Sequence, residues 1–87
     1  MLTGVTSTGF EYTIADDNLD DMELLDALAA VDNGNILAAS KVCTLLFGKE
    51  QKKALYDHVR DENGKVRYSS VVRELTDIIL HSENGKN

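Results

Sequence analysis

The sequence predicts a mainly α fold: a small bundle of about four helices with a short N-terminal β-strand or hairpin. Three observations carry that expectation. Tyr68, Val71, Val72, Leu75, Ile78 and Ile79 fall at i, i+3, i+4, i+7, i+10 and i+11, the recurrence of one helix face. Residues 36–47 are apolar nearly all round, the pattern of a helix central to its domain. Near the start, Phe10, Tyr12 and Ile14 alternate with Glu11 and Thr13, the period of a half-buried strand.

Taken in order, residues 2–6 can pair with residues 10–14 across Ser7-Thr8-Gly9 as a hairpin. A first helix is expected to begin near Asp17 or Asn18, either of which can cap free backbone N–H groups, and to run through Val31 until Asn33-Gly34 ends it. Met22, Leu25, Leu28, Ala29 and Val31 supply its apolar face, and Asp20, Asp21, Glu23 and Asp26 surround its first turns. The second helix, about residues 36–47, has only Ser40, Lys41 and Thr44 as a polar stripe, and Gly48 suits the left-handed position that stops it. A third, near residues 50–60, turns Ala54, Leu55 and Val59 inward and Lys52, Lys53 and Asp57 outward. Asp61-Glu62-Asn63-Gly64 makes a turn before the fourth helix. With no Pro and no repeat, the chain reads as a single domain over 1–87: an extended segment over 1–15, a helical core over 17–80 and a frayed polar tail over 81–87.

A domain of 87 residues buries only about 60–65% of its extended surface, so its own core is marginal and self-association or a partner would help it. No stretch approaches the length a bilayer span needs, and the N-terminus lacks the basic and apolar regions of a signal peptide, so a cytoplasmic protein is expected. Charge is unevenly spread. Residues 1–35 hold eight carboxylates and no Lys or Arg, a net −8, whereas residues 36–87 hold nine cations against seven carboxylates, a net +2. Such asymmetry speaks of partners and solubility rather than of fold. The overall −6 argues against non-specific affinity for nucleic acid, because each phosphate contact needs a cation.

The residues point to binding and not to catalysis. Counted as a calcium loop from Asp16, the sixth position, which should be Gly, is Asp21, and the twelfth, which should be a bidentate Glu, is Ala27. Counted from Asp61, positions five, six and twelve are Lys65, Val66 and Val72, so that loop fails too. His58 and His81 are isolated, and His58 reads as a helix-surface residue. Cys43 lies in the apolar second helix, where a thiol behaves as a small hydrophobe, and as a single cysteine it forms no intramolecular disulfide. No nucleophile elbow, phosphate loop or dinucleotide fingerprint is present, so no catalytic residue, metal or cofactor is expected.

Magnitudes decide how the acidic cluster is read. Asp20, Asp21 and Glu23 near a helix start gain about 0.3–1 kcal/mol each from the macrodipole. Like-charge pairs such as Asp17 with Asp21 cost about 0.2–0.5 kcal/mol each, so the two effects roughly cancel. One or two carboxylates suffice for stability, and the surplus is free for solubility or a basic partner. Lys49, Lys52 and Lys53 sit on the unfavourable end of the third helix's dipole, but Glu50 and Gln51 blunt that patch, which reads as a solvated helix face.

In order and spacing, Gly9-Phe10-Glu11-Tyr12, Leu19-Asp20-Asp21-Met22-Glu23-Leu24-Leu25-Asp26-Ala27-Leu28, Leu45-Leu46-Phe47-Gly48-Lys49-Glu50-Gln51-Lys52-Lys53-Ala54-Leu55 and Arg60-Asp61-Glu62-Asn63-Gly64-Lys65-Val66 resemble the small tail assembly chaperones of long-tailed bacteriophages and prophages. The resemblance spans roughly Phe10 to Leu80, leaving residues 1–8 as an extra lead-in. It implies a small, mostly helical, non-catalytic protein of the infected or lysogenic bacterial cytoplasm that is not retained in the mature virion. Family members bind the tape measure protein and help major tail protein subunits assemble around it. In many such phages a programmed frameshift also makes a C-terminally extended form. The residues put forward for partner contact are Asp20, Asp21, Glu23 and Asp26, as an acidic flank to the client groove, together with Phe10 and Tyr12. A homo-oligomer fits the marginal core, and no membrane partner is expected. The alternative is a small helical nucleic-acid-binding regulator whose helix-turn-helix lies around Gly48 to Lys53. A nucleic-acid mimic is the poorer fit, since carboxylates confined to one region copy a regular phosphate track badly.

Overall fold

A computed structural model describes residues 1–84, with side chains through Leu80. The chain runs β1 (Leu2–Val5), β2 (Glu11–Ile14), α1 (Asp16–Leu19), α2 (Met22–Asp32), α3 (Ala38–Val59) and α4 (Tyr68–Asn84), a mainly helical bundle behind an N-terminal hairpin. The helix thus continues four residues past Leu80, and the rest of the expected frayed tail lies outside the described residues.

The hairpin forms with Leu2 opposite Ile14 and Gly4 opposite Tyr12. Period-two alternation puts Phe10, Tyr12 and Ile14 into the core, where Phe10 meets the Phe47 ring edge-on at 6.1 Å between centroids. Tyr12 lies across Gly4, so closely that a methyl group there would come within 2.7 Å of its ring carbon Cζ. Gln51 of α3 pairs with the free edge of β2: its Oε1 accepts from Thr13 N at 2.8 Å and its Nε2 donates to Thr13 O.

The expected first helix is two helices. Asp20 leaves helical geometry, and Asp21, in extended conformation, caps α2 by accepting from Glu23 N at 2.9 Å. Neither Asp17 nor Asn18 is a cap; both lie inside α1, and Asn18 Nδ2 donates to Leu46 O at 3.1 Å. The inward face of α2 also differs from expectation. Leu24 and Ala27 are buried with Leu28 and Val31 packed against the core, while Met22, Leu25 and Ala29 face out.

The second and third expected helices are contiguous in α3, broken at Gly48. There φ is 76° and ψ 175°, a combination essentially reserved for glycine. The break is a fold-back. Along a straight helix Ser40 and Lys52 would be about 18 Å apart, yet Lys52 Nζ donates to Ser40 Oγ at 2.8 Å and to Thr44 Oγ1 at 2.9 Å. Lys52 is therefore half-buried rather than outward, and Ala54, expected inward, is exposed. The first half of α3 is central: Val42, Cys43, Leu46 and Phe47 are buried, and α3 packs on α1, α2, α4 and β2. Its start is set by Asn35, whose Oδ1 accepts from Leu37 N at 3.2 Å and whose carbonyl accepts from Ala38 N at 3.1 Å. In α4, Val71, Leu75 and Ile78 are buried and Val72 and Ile79 half-buried, as the spacing predicts, whereas Tyr68 is exposed. No described helix is long and apolar enough to cross a membrane.

Candidate functional site

Because α2 and α4 are both held by α3, a groove is left between them. Leu28 and Val31 of α2 form one wall and Val72, Leu75 and Ile79 of α4 the other. Tyr68 and Leu80 stand at its ends, 43% and 54% exposed, and Asp32 and Thr76 supply its polar groups. The cavity is about 380 Å³, and its α4 wall from Tyr68 to Leu80 is about 18 Å long at 1.5 Å per residue. Tyr68 also borders a smaller hollow, about 210 Å³, with Ile36, Tyr56 and Val66, so the apolar surface continues past the end of the groove.

The other flank of α2 bears a second groove of about 410 Å³ against the start of α3. Ala27, Ala30 and Ala38 make its floor, Glu23 and Asp26 its acidic wall, and Lys41 and Leu37 the opposite side. Leu37 is 83% exposed. Here the residues proposed from sequence divide. Glu23 and Asp26 line this groove and not the apolar one, and Asp21 is occupied as the α2 cap. Asp20 is exposed at the α1–α2 break. Phe10 and Tyr12, at 5% and 3% exposure, belong to the core, so their expected role as partner contacts is corrected: the alternation that made them conspicuous is the alternation that buries them.

A polar cluster joins the hairpin to α4. Glu74 is 1% exposed, yet it is a carboxylate in the middle of the domain. Its Oε1 accepts from Thr6 Oγ1 at 2.8 Å, and both oxygens accept from Thr8 Oγ1 at 2.9 Å. Thr8 Oγ1, having given its proton to Glu74, accepts from His58 at 3.0 Å, which places a proton on His58 Nε2. His58 is exposed on α3, as expected of a helix-surface residue, and its ring also packs against Phe10 at 5.5 Å between centroids, which ties it to this cluster. One residue along, Ser7 N donates to Asp77 Oδ2 at 2.7 Å. A cleft of about 170 Å³ opens beside Glu74, bordered by Ser70 and Arg73. The signal for Glu74 lay in the spacing, since 71, 74, 75 and 78 share one helix stripe, but a Glu in that series reads as outward.

No such cluster surrounds Cys43. Burial pushes its thiol up to about 11, with Lys52 acting weakly the other way, so it is a protonated core group at neutral pH. Among the described residues no three His, Cys, Asp or Glu side chains converge as a metal site. Asp61, in the turn before α4, accepts from Asn63 N and Lys65 N at 2.9 Å each and from Arg67 Nε at 3.0 Å. Those bonds, the Lys65 amide foremost and then Arg67, hold its carboxyl below the ordinary value.

Fold and grooves define a small, mainly helical protein with open grooves on both flanks of α2. Compared with family models, curated proteins and solved structures, the chain finds no match.

Proposed function

We propose that this chain is a non-catalytic tail assembly chaperone of a long-tailed phage or prophage, holding a helical stretch of the tape measure protein in the α2–α4 groove while major tail protein subunits assemble. The observation that carries the reading is the groove itself: two apolar helix walls that the rest of the domain covers only in part, with Tyr68 and Leu80 exposed at the ends. A long helical client exposes apolar stripes before the tube encloses it, and a helix-lined groove of about three turns captures anchors at i, i+3/i+4 and i+7 without any chemistry. The resemblance of residues 10–80 to that chaperone family supplies the identity of the client. A net charge of −6 keeps the complex soluble. The site of action is then the cytoplasm of the bacterial host, and the mature virion lacks the protein.

Because Glu23 and Asp26 line the other groove, capture rests on apolar contact and survives moderate salt. The test is co-expression with the tape measure protein of the same phage. The wild-type chain is expected to keep that protein soluble and to co-purify with it. Tyr68→Asp with Leu80→Asp, both at exposed positions, should abolish this while Glu23→Gln with Asp26→Asn does not. A tape measure protein that stays insoluble beside the wild-type chain, or that is rescued equally by the groove variant, would overturn the reading.

The alternative as a DNA-binding regulator loses one of its cations. Lys52 is turned back onto Ser40 and Thr44, leaving Lys49 and Lys53 as the exposed cations of that segment.

A further inference from the structure

We infer that the groove between α2 and the start of α3 is a self-complementary surface on which a second copy of this chain docks about a two-fold axis. This inference stands apart from the client reading, since it uses the opposite flank of α2. Three features of one patch point to it. Leu37 is the most exposed large apolar side chain among the described residues, and it stands beside a floor of Ala27, Ala30 and Ala38. A protruding leucine next to a small-residue hollow is a knob and a hole on the same surface, which is what an isologous interface requires. The charges have the same property. Glu23 and Asp26 form one wall and Lys41 stands on the other, and among the described residues none of the three has an ion-pair partner.

Lys41 is, moreover, in the first turn of α3, where the macrodipole disfavours a cation, so its own helix does not explain its place. Across a two-fold axis both mismatches resolve together. Leu37 of each copy enters the alanine hollow of the other, and Lys41 of each copy meets Glu23 and Asp26 of the other. A wholly acidic patch would repel its own image; this one, with both signs on facing walls, does not. The repulsion between two chains of net −6 is screened beyond about 8 Å at physiological salt, whereas contacts across the interface fall within that range. The α2–α4 groove stays open in the pair, so a dimer presents two client grooves.

The test is light scattering on the full chain at about 0.15 M salt, with charge exchange between walls. The wild-type chain is expected at twice its 9.6 kDa mass at tens of micromolar. Lys41→Glu alone and Glu23→Lys with Asp26→Lys alone should each be monomeric, because each places like charges across the axis. All three positions are exposed, so the variants should fold as the wild type does, which circular dichroism checks. Mixed in equal amounts, the two variants should pair, because both contacts are then opposite in sign, and a chain carrying all three changes should pair with itself. Leu37→Asp should remove pairing in every combination. A wild-type chain that stays monomeric up to millimolar concentration, a Lys41→Glu chain that still dimerises, or a mixture that does not pair would each overturn the proposal. A monomer that nonetheless keeps the tape measure protein soluble would overturn the dimer and leave the chaperone reading standing.

Discussion

At the residue scale, Glu74 is the point on which the hairpin is pinned. Burying a carboxylate is costly, and the cost is offset here by hydroxyl donors from Thr6 and Thr8, with His58 closing the series behind Thr8. Removing the acceptor strands the buried Thr6 hydroxyl, whereas exposed Thr8 can turn to water, so Glu74→Ala should destabilise the fold by the penalty of an unsatisfied group, about 1–3 kcal/mol. Denaturant unfolding measures it, and hydrogen exchange should show β1 and β2 amides opening before those of α3. Unchanged stability would mean the cluster is incidental. Cys43 makes a pH-dependent contribution. Its folded value of about 11 lies above the ordinary 9.0, so the stability it contributes is complete below about pH 9 and is lost as pH rises toward 11. Tyr12, raised by burial and then by Asp77, acts in the same direction. Melting temperature followed from about pH 8 to 11 should fall, and Cys43→Ala should make that fall shallower, whatever it costs at neutral pH. An identical slope in the variant would remove Cys43 from the account.

At the scale of elements, the break inside α3 shapes the bundle. Apart from the adjoining chain, nothing lies within 4 Å of where a Cβ on Gly48 would stand, so any cost of substitution there is backbone conformation alone. Gly48→Ala should destabilise by about 1–3 kcal/mol, because its φ and ψ are nearly closed to other residues. A neutral Gly48→Ala would mean that α3 can straighten and that the Lys52 contacts to Ser40 and Thr44 are dispensable. Gly48 was legible in the sequence as a stop, and β2 and α4 were legible from their periods, because each buries one face against one core. The inward face of α2 was not. Leu and Ala occupy both Leu24-Ala27-Leu28-Val31 and Met22-Leu25-Ala29, two stripes of similar hydropathy, and only the position of α3 decides which is covered. The Asp20-Asp21 break was hidden because acidic residues suit a first helical turn as well as a cap. Of the proposed contacts, Glu23 and Asp26 line a groove, whereas Phe10 and Tyr12 are core: alternation marks a buried face without saying what covers it. The grooves themselves had no sequence signal, since each is the space between elements distant in the chain.

At the scale of the whole molecule, α2 divides two surfaces of different character. One is apolar and bounded by α4; the other is acidic on one wall, basic on the other, and bounded by α3. The acidic N-terminal half is divided by the fold: Asp21 caps a helix, Glu23 and Asp26 line the second groove, and Asp32 lies at the α2–α4 groove. The two grooves are lined by different residues, so a variant in one should leave the other intact. The most direct test is hydrogen exchange on the complex with the tape measure protein. The chaperone reading expects new protection over residues 28–32 and 68–80, the two walls of the α2–α4 groove, with the exchange of β1 and β2 unchanged. Protection confined to residues 48–53, or none on either wall, would contradict it.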